Sequence, residues 1–326
     1  MSWNTISQFW PPKPDFTETD IPDGSLAGKV YIVTGSNTGI GKELAQLLYS
    51  KAAKIYIAAR SKDKALKAIE DIQAKHPESK GQLVFLPLDL ADLSTIKASA
   101  TEFLSKEQKL HILFNNAGIM DPPAGSKSAQ GYELQLGVNC LGTFLFTKLL
   151  TPILVSTATS EPSGSVRVVW VSSAGAELGS PIGGVEMDNL DYNREKSNPE
   201  KYAISKAGNY LHSTEFAKRF KKDGVVSIAL NPGALKSDLY RNQSCVQQAF
   251  TGLITYEVIY GAYTELFAGL SDKISLENSG EWVGPWGRLL PIRADMLEAS
   301  KSVAEGGTGN GEKWWEWSEE QVKPFL

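Results

Sequence analysis

Cysteine is scarce: Cys140 and Cys245 are the only two in 326 residues. Two thiols cannot build the multi-bridge framework of a small secreted domain, and so few of them fit a reducing compartment. The three histidines, His76, His111 and His212, are scattered and offer no metal-ligating spacing. No block of Lys and Arg stands out and the net charge is −4, so there is no electrostatic footprint for nucleic acid. No stretch approaches the roughly 18 uninterrupted apolar residues of a membrane-spanning helix. The opening, Met1 to Asp23, holds Pro11, Pro12, Pro14 and Pro22 with Trp3 and Trp10 but no basic start or apolar core, unlike a secretion signal. These absences lead to the expectation of a soluble, cytoplasmic protein that binds neither nucleic acid nor membrane. No internal repeat or low-complexity tract is present either.

Apolar residues at 42% and charged residues at 21% describe an ordinary globular chain, long for one domain but compatible with a single α/β layer structure. Strand-like and helix-like segments alternate. Val30–Thr34 reads as a buried strand, and Gly39–Ser50 as a helix through Ile40, Leu44, Leu47 and Leu48. Strands follow at Lys54–Ala59, Leu83–Leu88, Leu110–Phe114, Val166–Val171 and Val225–Leu230. Between them lie helices at Lys62–Lys75, Leu93–Leu104, Leu134–Val155 and Tyr202–Phe220. Such alternation predicts parallel strands with right-handed crossover helices on both faces. The expectation is a single-domain, Rossmann-type doubly wound sheet of about seven strands over residues 28–290. A leader (1–27) precedes it and a C-terminal tail (291–326) follows, with Trp314, Trp315 and Trp317 packing on the body. The loop-rich stretches 174–201 and 234–256 should emerge at the carboxyl edge of the sheet, where open α/β folds bind ligands.

Between the first strand and its helix lie Gly35-Ser36-Asn37-Thr38-Gly39-Ile40-Gly41. Glycines there allow a tight turn and let the backbone approach a dinucleotide pyrophosphate, which rests on the helix N-terminus. The spacing is Gly-x-x-x-Gly-x-Gly rather than the commoner Gly-x-Gly-x-x-Gly. The second strand ends at Arg60. An acid there would bind the ribose hydroxyls, whereas an arginine accommodates a 2′-phosphate. Arg60, with Lys64 one turn into the next helix, therefore points to NADP(H).

A phenol, with a pKa near about 10, is a poor base at neutral pH unless its anion is favoured. A lysine four residues later on a helix lies on the same face and lowers that pKa, which is the physical case for Tyr202 and Lys206. A second Tyr-x-x-x-Lys, Tyr192 to Lys196, lies among turn-forming residues with no amphipathic continuation. Tyr202 is instead followed by apolar Ala203, Ala207, Tyr210, Leu211, Ala217 and Phe220, so it is the better pair. Ser172 and Ser173, ending a buried strand at the same sheet edge, could donate to a reacting carbonyl oxygen.

With these residues in view the chain resembles a short-chain dehydrogenase/reductase over roughly Lys29 to Trp286. It is similar to that family in Thr34-Gly35-x-x-x-Gly39-Ile40-Gly41, Asp89-Leu90, Asn115-Asn116-Ala117-Gly118, Asn139, Ser172-Ser173, Tyr202/Lys206 and Pro232-Gly233. The resemblance implies that Asp89 binds the adenine amine and that Asn116, Ala117 and Gly118 support the central strand and cofactor. It also implies that Asn139 holds a water in a proton relay through Lys206, and that Ser173 orients the substrate oxygen. Tyr202 would then be the general acid in reduction or base in oxidation. Ser237 takes the place of the family's threonine beside the nicotinamide amide. Gly41-Lys42-Glu43, Ala58-Ala59-Arg60 and the long gap from Ser173 to Tyr202 resemble the retinol-dehydrogenase-like branch. The proline-rich leader and tryptophan-rich tail look like soluble fungal members, which implies a place in secondary metabolism. Many relatives pair subunits through the helices carrying Asn139 and Tyr202, so a homodimer is a further implication.

Leu235, Leu239, Tyr240, Val246, Phe250, Leu253 and Ile254 could line a lid, and their character suggests a lipophilic or aromatic ketone, aldehyde or alcohol as substrate. Two other readings stand beside this one. The first is a cofactor-binding sensor or scaffold without turnover, whose degenerate relatives usually lose the tyrosine or lysine kept here. The second is a sugar-nucleotide epimerase or dehydratase, which would typically show Gly-x-x-Gly-x-x-Gly and a larger C-terminal domain.

Overall fold

The computed structural model describes residues 6–236 and 255–326. Five-residue β1 (Val30–Thr34) is buried throughout, and β5 (Val166–Val171) and β6 (Val225–Leu230) are equally so. Runs rich in Val and Ile with no polar alternation suit central strands covered on both faces. β2 (Lys54–Ala59), β3 (Gln82–Pro87) and β4 (Ile112–Asn115) complete the first half, followed by β7 (Trp282–Gly284) and β8 (Arg288–Leu290). The order is β3-β2-β1-β4-β5-β6-β7-β8. All neighbours are parallel except β7 and β8, which pair antiparallel with Val283 opposite Leu289. Chain order reverses between β1 and β4, which opens the crevice where ligands bind in such sheets.

The helices are α1 (Gly39–Ser50), α2 (Lys62–Lys75), α3 (Leu93–Lys106), α4 (Thr143–Ala158), α5 (Ala174–Leu178), α6 (Asn198–Phe220), α7 (Val258–Leu270), α8 (Ala294–Ser300) and α9 (Asn310–Val322). One apolar layer joins Leu113, Val168 and Trp170 of the sheet to Phe103, Phe144, Tyr210 and Trp314. The other joins Val33, Ile57, Val171 and Ile228 to Leu44, Leu48, Leu266 and Phe267. The doubly wound expectation thus holds.

Three local departures have physical reasons. The eighth strand is too short at three residues for a periodic signal, and it is reached by the Pro285-Trp286 turn with Trp286 at φ 68°. α6 starts at Asn198, one turn before Tyr202. Pro199 reads as a breaker, but proline is favoured in the first helical turn, where its missing N–H costs nothing. Ser197 caps that helix, its Oγ accepting from Glu200 N while Glu200 Oε2 accepts from Ser197 N at 2.8 Å. Third, the helix expected from Leu134 begins as a run of π turns, Leu136–Gly142, before α4.

Leu136–Ala158 is long and apolar enough to cross a membrane by length and composition, but 78% of its most apolar window is buried within the fold. The C-terminal segment is likewise part of the core: Trp314 is fully buried and its Nε1 donates to Gly208 O at 3.0 Å. His212 stacks between Phe144 and Trp314, and Nδ1 of His111 accepts from Val30 N, so both imidazoles serve the packing.

Candidate active site

A cleft of about 340 Å³ opens at the carboxyl edge of the sheet, where β1 and β4 diverge. One end is the glycine turn. Gly35 has φ 70°, which favours glycine, and a Cβ there would meet Ala117 Cα at 3.0 Å. At Gly41 a Cβ would stand 2.4 Å from Asn116 Nδ2, so any side chain would push α1 off the neighbouring loop. That loop is knitted to β1: Asn116 Nδ2 donates to Thr34 O at 2.7 Å, and Thr34 Oγ1 accepts from Ala117 N at 2.9 Å. The cradle is therefore two loops held together by Thr34.

Of the residues read as cofactor-binding, Gly35, Asn37, Gly39, Ile40, Arg60, Lys64, Asp89, Leu90, Asn116, Ala117, Gly118, Tyr202, Lys206 and Pro232 all line this one cleft. Ser36 lies beneath it, fully buried with its hydroxyl donating to Val33 O at 2.7 Å. Gly41 acts by close packing, and Gly233 is held in its turn by Asn231 Oδ1, which accepts from its N–H at 3.0 Å. Ser237, Leu239, Tyr240, Val246, Phe250, Leu253 and Ile254 lie outside the described residues. Arg60 and Lys64 have no carboxylate within salt-bridge distance among the described residues, which leaves two cations facing the cleft. Such a pair suits a phosphate.

At the other end Lys206 is buried and its Nζ donates to Val171 O at 2.8 Å. Burial pulls its pKa down to about 8, opposed by Cys140 and Glu265. A Cβ on Gly118 would come within 3.0 Å of Lys206 Nζ and 3.4 Å of Asn139 Oδ1, so only glycine lets these groups converge. Asn139 is fully buried. Its Oδ1 accepts from Ile119 N at 2.9 Å, and its Nδ2 donates to Ile119 O and to Ser205 Oγ at 2.9 Å. It therefore ties the β4 loop to the catalytic helix. The π turns that carry it are a conformation often found at functional sites.

The two serines separate cleanly. Ser172 is buried and its hydroxyl is committed to Lys206 O at 2.6 Å. Ser173 is half-buried, caps α5 by accepting from Gly175 N at 3.1 Å, and stands on the Tyr202 side, where a Cβ on Gly175 would be 3.4 Å from the phenol ring and 3.5 Å from Ser173 Oγ. The rival pair is elsewhere. Tyr192 is buried, with burial raising its phenol pKa, and Lys196 pairs with Glu186 at 3.1 Å.

Sequence reasoning missed Ser205, which links Asn139 to Tyr202 by donating to Tyr202 O at 2.7 Å. Its place inside the Tyr-x-x-x-Lys run was the available signal. It also missed the Val171 carbonyl that holds Lys206, for which no side-chain pattern exists.

A phosphate-sized cradle, an ammonium beside a phenol and a serine at the same sheet edge define a dinucleotide-dependent oxidoreductase site. Residues 29–185 match the short chain dehydrogenase family. Over 328 aligned residues the chain is 55% identical to a short-chain dehydrogenase/reductase of Phomopsis amygdali, covering 99% of this chain and 97% of that one. An uncharacterized protein of Mycobacterium paratuberculosis superposes with a TM-score of 0.68 at 26% identity, covering 94% and 97% of the two chains. An NADPH-bound carbonyl reductase from chicken fatty liver shares the fold at a TM-score of 0.60 and 22% identity, covering 82% of this chain and all of that one. The chain belongs to the short-chain dehydrogenase/reductase family of oxidoreductases.

Proposed function

We propose that the protein is an NADP(H)-dependent reductase that interconverts a lipophilic or aromatic ketone or aldehyde with its alcohol. One observation carries the reading: the Tyr202–Lys206 pair closes one end of a cleft whose other end presents Arg60 and Lys64, which have no carboxylate partner among the described residues. The residues fit the dinucleotide, because Gly35 and Gly41 leave the space that a Cβ would fill and the α1 N-terminus faces it. Gly39 and Ile40 would hold the pyrophosphate, Arg60 and Lys64 the 2′-phosphate, Asp89 the adenine, and Lys206 a ribose hydroxyl. When bound, the cofactor supplies the hydride that the carbonyl carbon takes up.

The chain's own residues do the rest. Ser173 Oγ donates to the carbonyl oxygen and fixes it beside Tyr202. The Tyr202 phenol gives its proton to that oxygen as the alcohol forms. The Lys206 ammonium stabilises the phenolate left behind, and burial in a low-dielectric pocket strengthens that effect. In oxidation each transfer runs backwards.

The test is titration of the protein with NADPH and with NADH, followed by tryptophan fluorescence, and then turnover by the Tyr202→Phe variant. NADPH should bind more tightly, and the variant should keep that affinity while turnover falls by about a hundredfold or more. Binding of neither nucleotide, or a variant as active as the parent, overturns the proposal.

A further inference from the structure

Gln8 belongs to a leader that no motif claims, yet it is only 3% exposed. Its Nε2 donates to Glu177 Oε2 at 2.5 Å, and its Oε1 accepts from Asn231 Nδ2 at 2.9 Å. Burying an amide is costly unless both ends are satisfied, and here both are. The two partners are not incidental. Glu177 lies on α5, four residues after Ser173, and Asn231 directly precedes Pro232 and holds the Gly233 turn. One side chain thus spans α5, which follows Ser173, and the turn after β6.

The neighbouring backbone is gripped from the same side. Arg288 Nη2 donates to Ser7 O at 2.9 Å, and the Tyr256 hydroxyl donates to Phe9 O at 3.3 Å. Tyr256 also pairs with the chain just after Gly233: Lys236 N donates to Tyr256 O at 2.8 Å and Tyr256 N to Ala234 O at 2.9 Å. The leader is therefore fastened to the base of the stretch after Pro232-Gly233 and to α5 together. Next in sequence Trp10 is 70% exposed, its ring 6.2 Å from that of Phe9. A tryptophan held at that exposure offers a large, rigid aromatic contact surface.

We infer that Ser7–Trp10 form a third wall of the substrate entrance. In it, Gln8 sets the spacing between α5 and the Asn231–Gly233 turn, while Phe9 and Trp10 form an aromatic lip that favours flat lipophilic carbonyl substrates. Gln8 acts through Glu177 and Asn231 and is a positioning residue. The inference rests on the proposed reductase reading and names what selects the substrate within it.

The test uses full-length protein, the variants Gln8→Leu, Trp10→Ala and Tyr256→Phe, and two probe ketones, flat 2-acetylnaphthalene and compact cyclohexanone. Trp10→Ala should raise the KM for 2-acetylnaphthalene relative to cyclohexanone by about fivefold or more. Gln8→Leu should change the same ratio and steepen acrylamide quenching of bound NADPH emission, with NADPH affinity preserved. A purely structural role would lower thermal stability without moving the ratio or the quenching. Unchanged ratio and quenching in all folded variants overturn the inference and leave the reductase reading intact. Where Gln8→Leu fails to fold, Trp10→Ala and Tyr256→Phe decide by the same two readouts. Where neither ketone is turned over, quenching decides alone. A parent protein that binds neither NADPH nor NADH overturns the reductase reading itself, and the inference with it.

Discussion

The ammonium nitrogen of Lys206 stands 5.8 Å from the centre of the Tyr202 ring while donating to the carbonyl of Val171 at the end of β5. The Lys206 charge is thus anchored to the sheet beside the phenol, and under the proposed mechanism its protonation should set the working pH range.

Because burial draws the folded Lys206 down to about 8 from its ordinary 10.5, the folded chain releases this proton earlier than the unfolded one. Below pH 8 both states hold it. Between about 8 and 10.5 the unfolded chain binds more protons, so this group's contribution to stability rises with pH in that window. Turnover should run the other way. Loss of the ammonium removes support for the phenolate, so carbonyl reduction should decline above pH 8, as a pH–rate profile of the parent protein would reveal. A profile flat to pH 10 would refute the role.

Under the proposed NADP(H) reading, Arg60→Asp replaces a donor for the 2′-phosphate with a repelling charge. The expected outcome is NADPH binding weakened by about tenfold or more, with NADH affected far less. Competitive titration of the two nucleotides measures it, and undiminished NADPH affinity would exclude Arg60 from the phosphate subsite.

Glu265 on α7 is fully buried, neither carboxylate oxygen has a hydrogen-bond partner among the described residues, and burial pushes its pKa up to about 8 against the pull of Lys206. Its folded value lies above the ordinary 4.5. Its contribution to stability is therefore independent of pH below about 4.5 and falls progressively as pH rises from 4.5 to 8. Glu265→Gln should raise the Tm at pH 7 by about 3 °C or more and leave it unchanged at pH 4. Thermal denaturation at the two pH values checks this.

Gly41→Ala would place a methyl group 2.4 Å from Asn116 Nδ2. Either the Asn116 amide must leave its bond to Thr34 O or α1 and the Asn116 loop must separate, and each bears on the cradle. Nucleotide affinity should drop by about tenfold while circular dichroism stays close to that of the parent. Unaltered affinity would mean that the cradle tolerates separation of its two loops.

Much of this was legible in the sequence because the decisive groups obey local spacing rules. Tyr202 and Lys206 lie four apart on an amphipathic helix, and Gly35, Gly39 and Gly41 sit between a buried strand and a helix. Other features leave no such trace. The π turns around Asn139 share their apolar composition with the helix that follows. β8 spans three residues, below any period. The end of the loop-rich stretch 174–201 proved helical because Pro199, a residue type that interrupts a helix, also suits its first turn. Gln8 matters only through partners 169 and 223 residues away, a relationship no local pattern encodes.

The reciprocal cap between Ser197 and Glu200 has a consequence of its own. It defines the start of α6 from within four residues, independently of the chain that arrives there. Tyr202, one turn into α6, therefore takes its place on the helix from that cap rather than from the segment before it.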